Sequence, residues 1–272
     1  NAPADQKFRF NWNAPLIMDP HKPGILYHGA QAVLRSSDGG MSWRPISPDL
    51  TLNDLSKQGN GGGPFINEGA GGEVYNTISY LAASPHQTGE LWVGSDDGRL
   101  HLTRNDGKTW QEVTPPDLGE ALIHCIEVSP HQPGQALIAA TRHKLNDPAP
   151  FVFITTDYGV HWTSITEGIG IDNPVRAVRE DPIRPGLFYA GTERGLFISL
   201  DRGHFWHRFQ LNLPLCPIND LAIRDNDLIA ATEGRSLWIL DDLSPLQQYP
   251  ALARNAPGLT QPANLPTGTP GY

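Results

Sequence analysis

"SSDGGMSW" runs from Ser36 to Trp43, and three relatives follow it: "TRNDGKTW" (Thr103 to Trp110), "TTDYGVHW" (Thr155 to Trp162) and "SLDRGHFW" (Ser199 to Trp206). Each has Ser or Thr first, Asp or Asn two positions on, Gly two further, and Trp three after that. Alternating apolar stretches precede the four copies ("AVLR", "LHLT", "FVFIT", "LFIS"), and short strand-like stretches follow them ("RPI", "QEV", "TSI", "HRF"). The box is therefore read as a hairpin turn. Asp or Asn accepts bonds from amides about two positions on, and glycine takes the positive φ of the turn. The hydroxyl closes the turn, while the indole packs between neighbouring sheets. Asp38, Asn105, Asp157 and Asp201, with Trp43, Trp110, Trp162 and Trp206, are assigned this structural role; the local turn accounts for the acids without metal or catalysis.

A second element recurs ahead of each box: "DPHKPGILYHG" from Asp19, "SPHQTGELWVG" from Ser84, "SPHQPGQALIAA" from Ser129 and "DPIRPGLFYAG" from Asp181. Its Pro and Gly place a turn before a strand. One unit thus reads strand A, Pro/Gly turn, strand B, short loop, strand C, box turn, strand D. A fifth unit, "DLAIRDNDLIAATEGRSLWILDDLS", keeps the strands but loses the box glycine and tryptophan. Successive box tryptophans lie 67, 52 and 44 residues apart, and the shortest spacing matches a four-stranded propeller blade of ~40–50 residues. The expected fold is an all-β propeller with blades at about 8–48, 73–114, 120–167, 173–211 and 217–246. Insertions fall at 51–73 and from His143 to Pro150. The propeller ends near 248, and 249–272, rich in Pro and Gly, is expected to be a linker or disordered tail. Histidines 21, 86 and 131 recur in the Pro/Gly turns and are expected to pack or cap them.

The 272 residues include 28 Gly and 25 Pro, too many for long helices. Net charge is −9 with no Lys/Arg block to follow a phosphate backbone, which argues against a nucleic-acid partner. No apolar run reaches the length of a membrane span. Cys125 and Cys216 fall in different units, and free buried thiols are expected. "GNGGGPF" opens no helix, and no Gly-x-Ser-x-Gly elbow occurs, so phosphoryl and acyl transfer lack support.

These boxes resemble the Asp-box (BNR) repeats of sialidases, sortilin-type propellers, xyloglucanase-type two-propeller glycoside hydrolases and the photosystem II assembly-factor propeller. "FRFNWNAPLIMDPHKPG", "GSDDGRLHLTRNDGKTW", "TTDYGVHWT", "GTERGLF" and "EGRSLWILDDLSPL" look like the later part of large bacterial sortilin N-terminal-like or glycosyl-hydrolase-like BNR proteins. The resemblance covers about Phe8 to Leu246. It implies a secreted or periplasmic protein whose propeller is completed by other segments or subunits, with a closed five-bladed ring as the alternative. No cofactor is expected.

If strands A to D alternate in direction, the A–B turns and boxes share one face, while the B–C and D–A loops share the other. Ligands are expected on the second. Its B–C loops carry Asp96, Asp97 and Arg99; Arg142 and His143; Glu193 and Arg194; and Glu233 and Arg235. Asp96, Arg142, His143, Arg194 and Arg235 are candidate ligand-binding residues for a protein or polysaccharide, though solvated loops and Glu–Arg salt bridges that position loops are the simpler account of them. Glu193, Glu233, Asp97 and Glu73 are the candidate carboxylates if the protein is a glycoside hydrolase. Glu73 beside Tyr75 invites comparison with sialidases, but the three arginines those enzymes need are not evident. His143 and Asp147 lack metal-ligand spacing, and no metal is expected. A scaffold subunit is the third alternative.

Overall fold

The structure, a computed structural model, describes residues 7–58 and 74–255. Among the described residues nineteen strands make five antiparallel sheets, each built from consecutive strands. Blade one contains β1 (Leu16–Met18), β2 (Leu26–Gly29), β3 (Val33–Ser36) and β4 (Arg44–Pro45). Blade two contains β5 (Ile78–Ala83), β6 (Leu91–Ser95), β7 (Leu100–Thr103) and β8 (Gln111–Glu112). Blade three contains β9 (Leu122–Val128), β10 (Ala136–Arg142), β11 (Asp147–Thr155) and β12 (Thr163–Ser164). Blade four contains β13 (Val175–Glu180), β14 (Phe188–Thr192), β15 (Gly195–Ser199) and β16 (His207–Arg208). Blade five has three strands: β17 (Ile218–Arg224), β18 (Asp227–Thr232) and β19 (Leu237–Leu240). The first strands of successive blades lie side by side, so the protein is a β-propeller.

The box turns close as single units. In the third, Thr155 Oγ1 donates to Asp157 Oδ1 (2.8 Å) and accepts the Gly159 amide (3.0 Å), while Asp157 Oδ1 accepts the His161 amide (2.9 Å). The acid therefore reaches four residues on, not the expected two. Two successive residues take positive φ, Tyr158 and Gly159 here, Asp106 and Gly107 in the second box. The fifth unit has no box, so its chain leaves β19 without turning back into a fourth strand and enters helix α1 (Ser244–Asn255). That helix runs past the expected boundary at 248; residues 256–272 lie outside the described residues.

The core lies between sheets. Because blades cover both faces of their neighbours, central strands such as β6 and β14 are buried along their whole length and read as apolar runs, not alternations. Trp92, Leu118 and Ile138 fill the joint between blades two and three; Leu137, Phe188 and Trp206 fill the next. Each large side chain buried this way contributes roughly 1.5–3 kcal/mol. Glycines in the second strands let the next blade approach: a Cβ at Gly94 would stand 2.6 Å from Ile123, and one at Gly191 2.7 Å from Ile218.

Hydrogen bonds stitch the same joints. The indoles of Trp110, Trp162 and Trp206 donate to the carbonyls of Ile46 (2.9 Å), Val113 (2.8 Å) and Ile165 (2.7 Å), each just after the fourth strand of the preceding blade. The turn histidines do more than cap. His21, His86 and His131 extend Nε2 to the carbonyls of Ser84 (3.0 Å), Ser129 (2.9 Å) and Asp181 (2.7 Å) in the following blade. A carbonyl only accepts, so each imidazole carries its proton on Nε2.

The expected insertion from His143 to Pro150 is shorter in the structure, because β11 begins at Asp147 and only a tight turn separates it from β10. Pro148 and Pro150 are tolerated there because the fourth strand pairs only with Phe153 and Ile154, leaving the outer edge of β11 without a ladder to break. Among the described residues no hydrogen bond, ion pair or shared core joins blade five to blade one, as the alternative of a closed five-bladed ring would require.

Candidate functional site

Main-chain bonds assign the loops to faces. The Asp106, Tyr158 and Arg202 amides in the boxes donate to Gly89, Gly134 and Gly186 in the A–B turns. Opposite them, the Asp96, Glu193 and Glu233 amides in the B–C loops donate to Thr77, Pro174 and Pro217 at the ends of the D–A loops. The box residues Asp38, Asn105, Asp157 and Asp201 stand away from the B–C loops, each spent on its own turn.

On the B–C and D–A face, a shallow depression opens where blade two meets blade three. Tyr75, Asp96, Glu120, Arg142, His143 and Lys144 line it. Glu120, on the loop between β8 and β9, accepts from the Tyr75 hydroxyl and from Lys57 Nζ (2.6 and 2.7 Å). Asp96 accepts from the Thr77 amide (2.9 Å) and hydroxyl (2.8 Å), and burial pushes its carboxyl up to about 7. His143 shares the Thr141 hydroxyl with His124, whose burial holds it down at about 3. Lys144 is exposed and makes no hydrogen bond or ion pair among the described residues. Arg142 is committed to the fold: its guanidinium donates to the Leu118 carbonyl, pairs with Asp147 (3.5 Å) and lies over Phe151.

Asp97 is held by Ser95 Oγ (2.5 Å), Asn76 Nδ2 (2.6 Å) and the Leu52 amide (2.9 Å), and is 1% exposed. It braces the insertion against blade two and is sealed from any substrate. Arg99 pairs with Glu112 on the neighbouring strand. Glu73 lies outside the described residues.

Glu193 and Glu233 come together, through a residue the sequence reading missed. Arg176 on β13 donates to Glu193 Oε1 (2.6 Å) and Asn219 Oδ1 (2.6 Å) and lies 3.5 Å from Glu233. The Arg176 guanidinium thus reaches both acids and ties them to blade four. Arg194 pairs with Asp172 (2.6 Å) in solvent, and Arg235 is exposed on the same face.

Deeper along the first strands, Arg179 bonds Asp220 (2.6 Å), lies 3.8 Å from Glu127 and touches the Cys125 sulfur (2.7 Å). Cys125 and Cys216 are buried free thiols. The available signal for Arg176 and Arg179 was "VRAVRE", a strand with two arginines inside an apolar pattern. Glu120 carried none, because nothing in a D–A loop marks which acid turns inward.

No family model and no curated protein matches this sequence. Solved structures do. A GH74 xyloglucanase from Xanthomonas campestris superposes over 84% of this chain and 36% of its own, with TM-score 0.59 and 18% identity. YCF48 bound to D1 peptide aligns over 86% and 65%, with TM-score 0.55 and 16% identity. The extracellular domain of a one-component system of B. thetaiotaomicron aligns over 86% and 28%, with TM-score 0.57 and 11% identity. The chain shares their fold. It spans about a third of the xyloglucanase, and at these identities the likeness extends to the propeller and no further.

Proposed function

We propose that this propeller is a recognition module that takes a glycan or protein ligand across its B–C and D–A face, centred on the depression between blades two and three. One observation carries the proposal: Asp96, Glu120 and the adjacent His143 and Lys144 converge there from three loops of two blades, and Lys144 makes no hydrogen bond or ion pair among the described residues. Support from the neighbours is at the level of kind, since one is a xyloglucanase and another holds a peptide. The extracellular neighbour supports a secreted or periplasmic setting, and no described helix is long and apolar enough to cross a membrane. The test is binding to an array of plant polysaccharides and peptides. Lys144→Ala and Glu120→Gln should each reduce capture at least tenfold with Tm retained. Capture that survives both but falls in Arg194→Ala with Arg235→Ala would move the site to blades four and five.

A hydrolytic alternative rests on two carboxyl groups, Asp96 and Glu120, that line the same depression from different blades, the pair of groups glycosidases use, with burial raising that of Asp96. Asp96 would donate the proton and Glu120 would act as base or nucleophile, in place of the Glu193 and Glu233 pair that Arg176 holds. Reducing-sugar release from xyloglucan that disappears in Asp96→Asn would establish it; no release by the folded protein would remove it.

A further inference from the structure

Each joint between successive four-stranded blades uses the same three devices, and at the outer side of blade one all three stand without their partner among the described residues. The first is the box indole. Trp110, Trp162 and Trp206 donate to the preceding blade, whereas Trp43 folds back onto its own Gly40 carbonyl (3.0 Å) and is 37% exposed against 1% for Trp206. The second is the turn histidine. It reaches the carbonyl of the first turn residue of the next blade, and among the described residues no donor reaches the equivalent Asp19 carbonyl in blade one.

The third is the apolar face. Pairing registers place Leu16 and Met18 of β1 where Leu81 and Ala83 stand in β5. Leu81 is 3% exposed against blade one; Leu16 and Met18 are 58% and 61% exposed. Phe10 stacks on His28 of this face but leaves both of them open.

The structure also says what does not fit there. Among the described residues blade five has no fourth strand to offer a carbonyl to Trp43, and its A–B connection, the tight turn at Asp225 and Asn226, carries no histidine. Neither the chain's own blade five nor that of a second copy supplies the missing contacts. The other end of the arc is equally open. Leu237 and Ile239 occupy the register of Leu196 and Ile198, which are 5% and 0% exposed under blade five, yet they are 67% and 59% exposed themselves.

We propose that the open side of blade one is the seat of a further blade of this repeat type. The occupant carries a histidine in its A–B turn, which donates to the Asp19 carbonyl, and a fourth strand followed by a carbonyl that accepts the Trp43 indole. Its apolar face covers Leu16 and Met18, as blade one covers Leu81. The joint is independent of the ligand face, because none of these residues lines the depression.

The test supplies such a blade. A second copy of residues 119–167, which holds His131 and the Ile165 carbonyl, is fused ahead of Asn1 of the full chain. Docking should raise Tm by ~4 °C or more and lower iodide quenching of Trp43, read as the difference from the same fusion carrying Trp43→Phe. His131→Ala in the added copy should remove part of the gain. Unchanged Tm and unchanged quenching would overturn the proposal. A second arm needs only the chain itself: Trp43→Phe should shift Tm by less than ~2 °C, and Trp206→Phe by three times as much or more. Equal losses would show that Trp43 already has its partner. A homodimer broken by both Leu16→Lys and Leu237→Lys would give the seat to a second copy, and so overturn the proposal as well.

Discussion

His131 Nε2 donates to the Asp181 carbonyl oxygen 2.7 Å away, across the joint between blades three and four. His86 and His21 make the equivalent bond one and two joints earlier. His131→Ala should cost about 1 kcal/mol, the net worth of one such bond, seen as a Tm drop of ~2–4 °C by calorimetry. The three alanines combined should add, because the bonds lie at separate joints. A neutral triple variant would mean that the histidines only fill space.

Gly203 and Gly39 both take positive φ in box turns, but their surroundings differ. A Cβ at Gly203 would meet Ile165 at 2.6 Å, whereas Gly39 has open space. Gly39→Ala should cost about 1 kcal/mol, for backbone conformation alone. Gly203→Ala should cost about 2–3 kcal/mol, because the joint must open as well. Urea titration separates the two; equal costs would leave strain as the whole requirement.

Box acids give the fold a pH limit. Bonds from Ser42 hold the Asp38 carboxyl at about 2, and those from His161 hold Asp157 at about 2. Both values lie below the ordinary ~3.9 of an unfolded aspartate. Their stabilisation is therefore fully present above about 4 and is lost as pH falls toward 2. Tm measured from pH 5 to pH 2 should fall across that window, and less steeply in Asp38→Asn with Asp157→Asn.

Asp96 works in the opposite sense. Its carboxyl sits at about 7 in the fold, above the unfolded value, so the stability tied to its proton is present below about 4 and is lost as pH rises toward 7. Asp96→Asn keeps an oxygen for the Thr77 amide and removes the charge. The variant should match the parent at pH 4 and melt higher at pH 8. Parallel Tm profiles would show that Asp96 titrates normally.

Arg179 is partnered by Asp220 and Glu127 in the midst of the first strands. Arg179→Met leaves Glu127 without its cation, a loss of about 3 kcal/mol. Adding Glu127→Gln should recover much of that loss in denaturant titration. If it recovers nothing, the methionine's fit, not the unpaired acid, sets the cost.

Box spacing, read alone, yielded the blade pattern, the turn chemistry and the separation of the two faces, because a turn is made by residues within eight positions of one another. The lost box of the fifth unit was legible in the same way, but its strands were expected to be kept, and the three-stranded sheet of blade five came only from the structure. Which carbonyl each tryptophan and histidine would find was not, since those partners lie 41 to 64 residues away. Nor did the sequence reveal that Asp97 would be sealed while Asp96, its neighbour, would line the depression. Nor did it bring Arg176 to Glu193 and Glu233. Local hydrogen bonding shapes one blade at a time. The joints, the buried charges and the ligand face arise only when separate blades are pressed together, where burial and the next blade's backbone choose each side chain's partner.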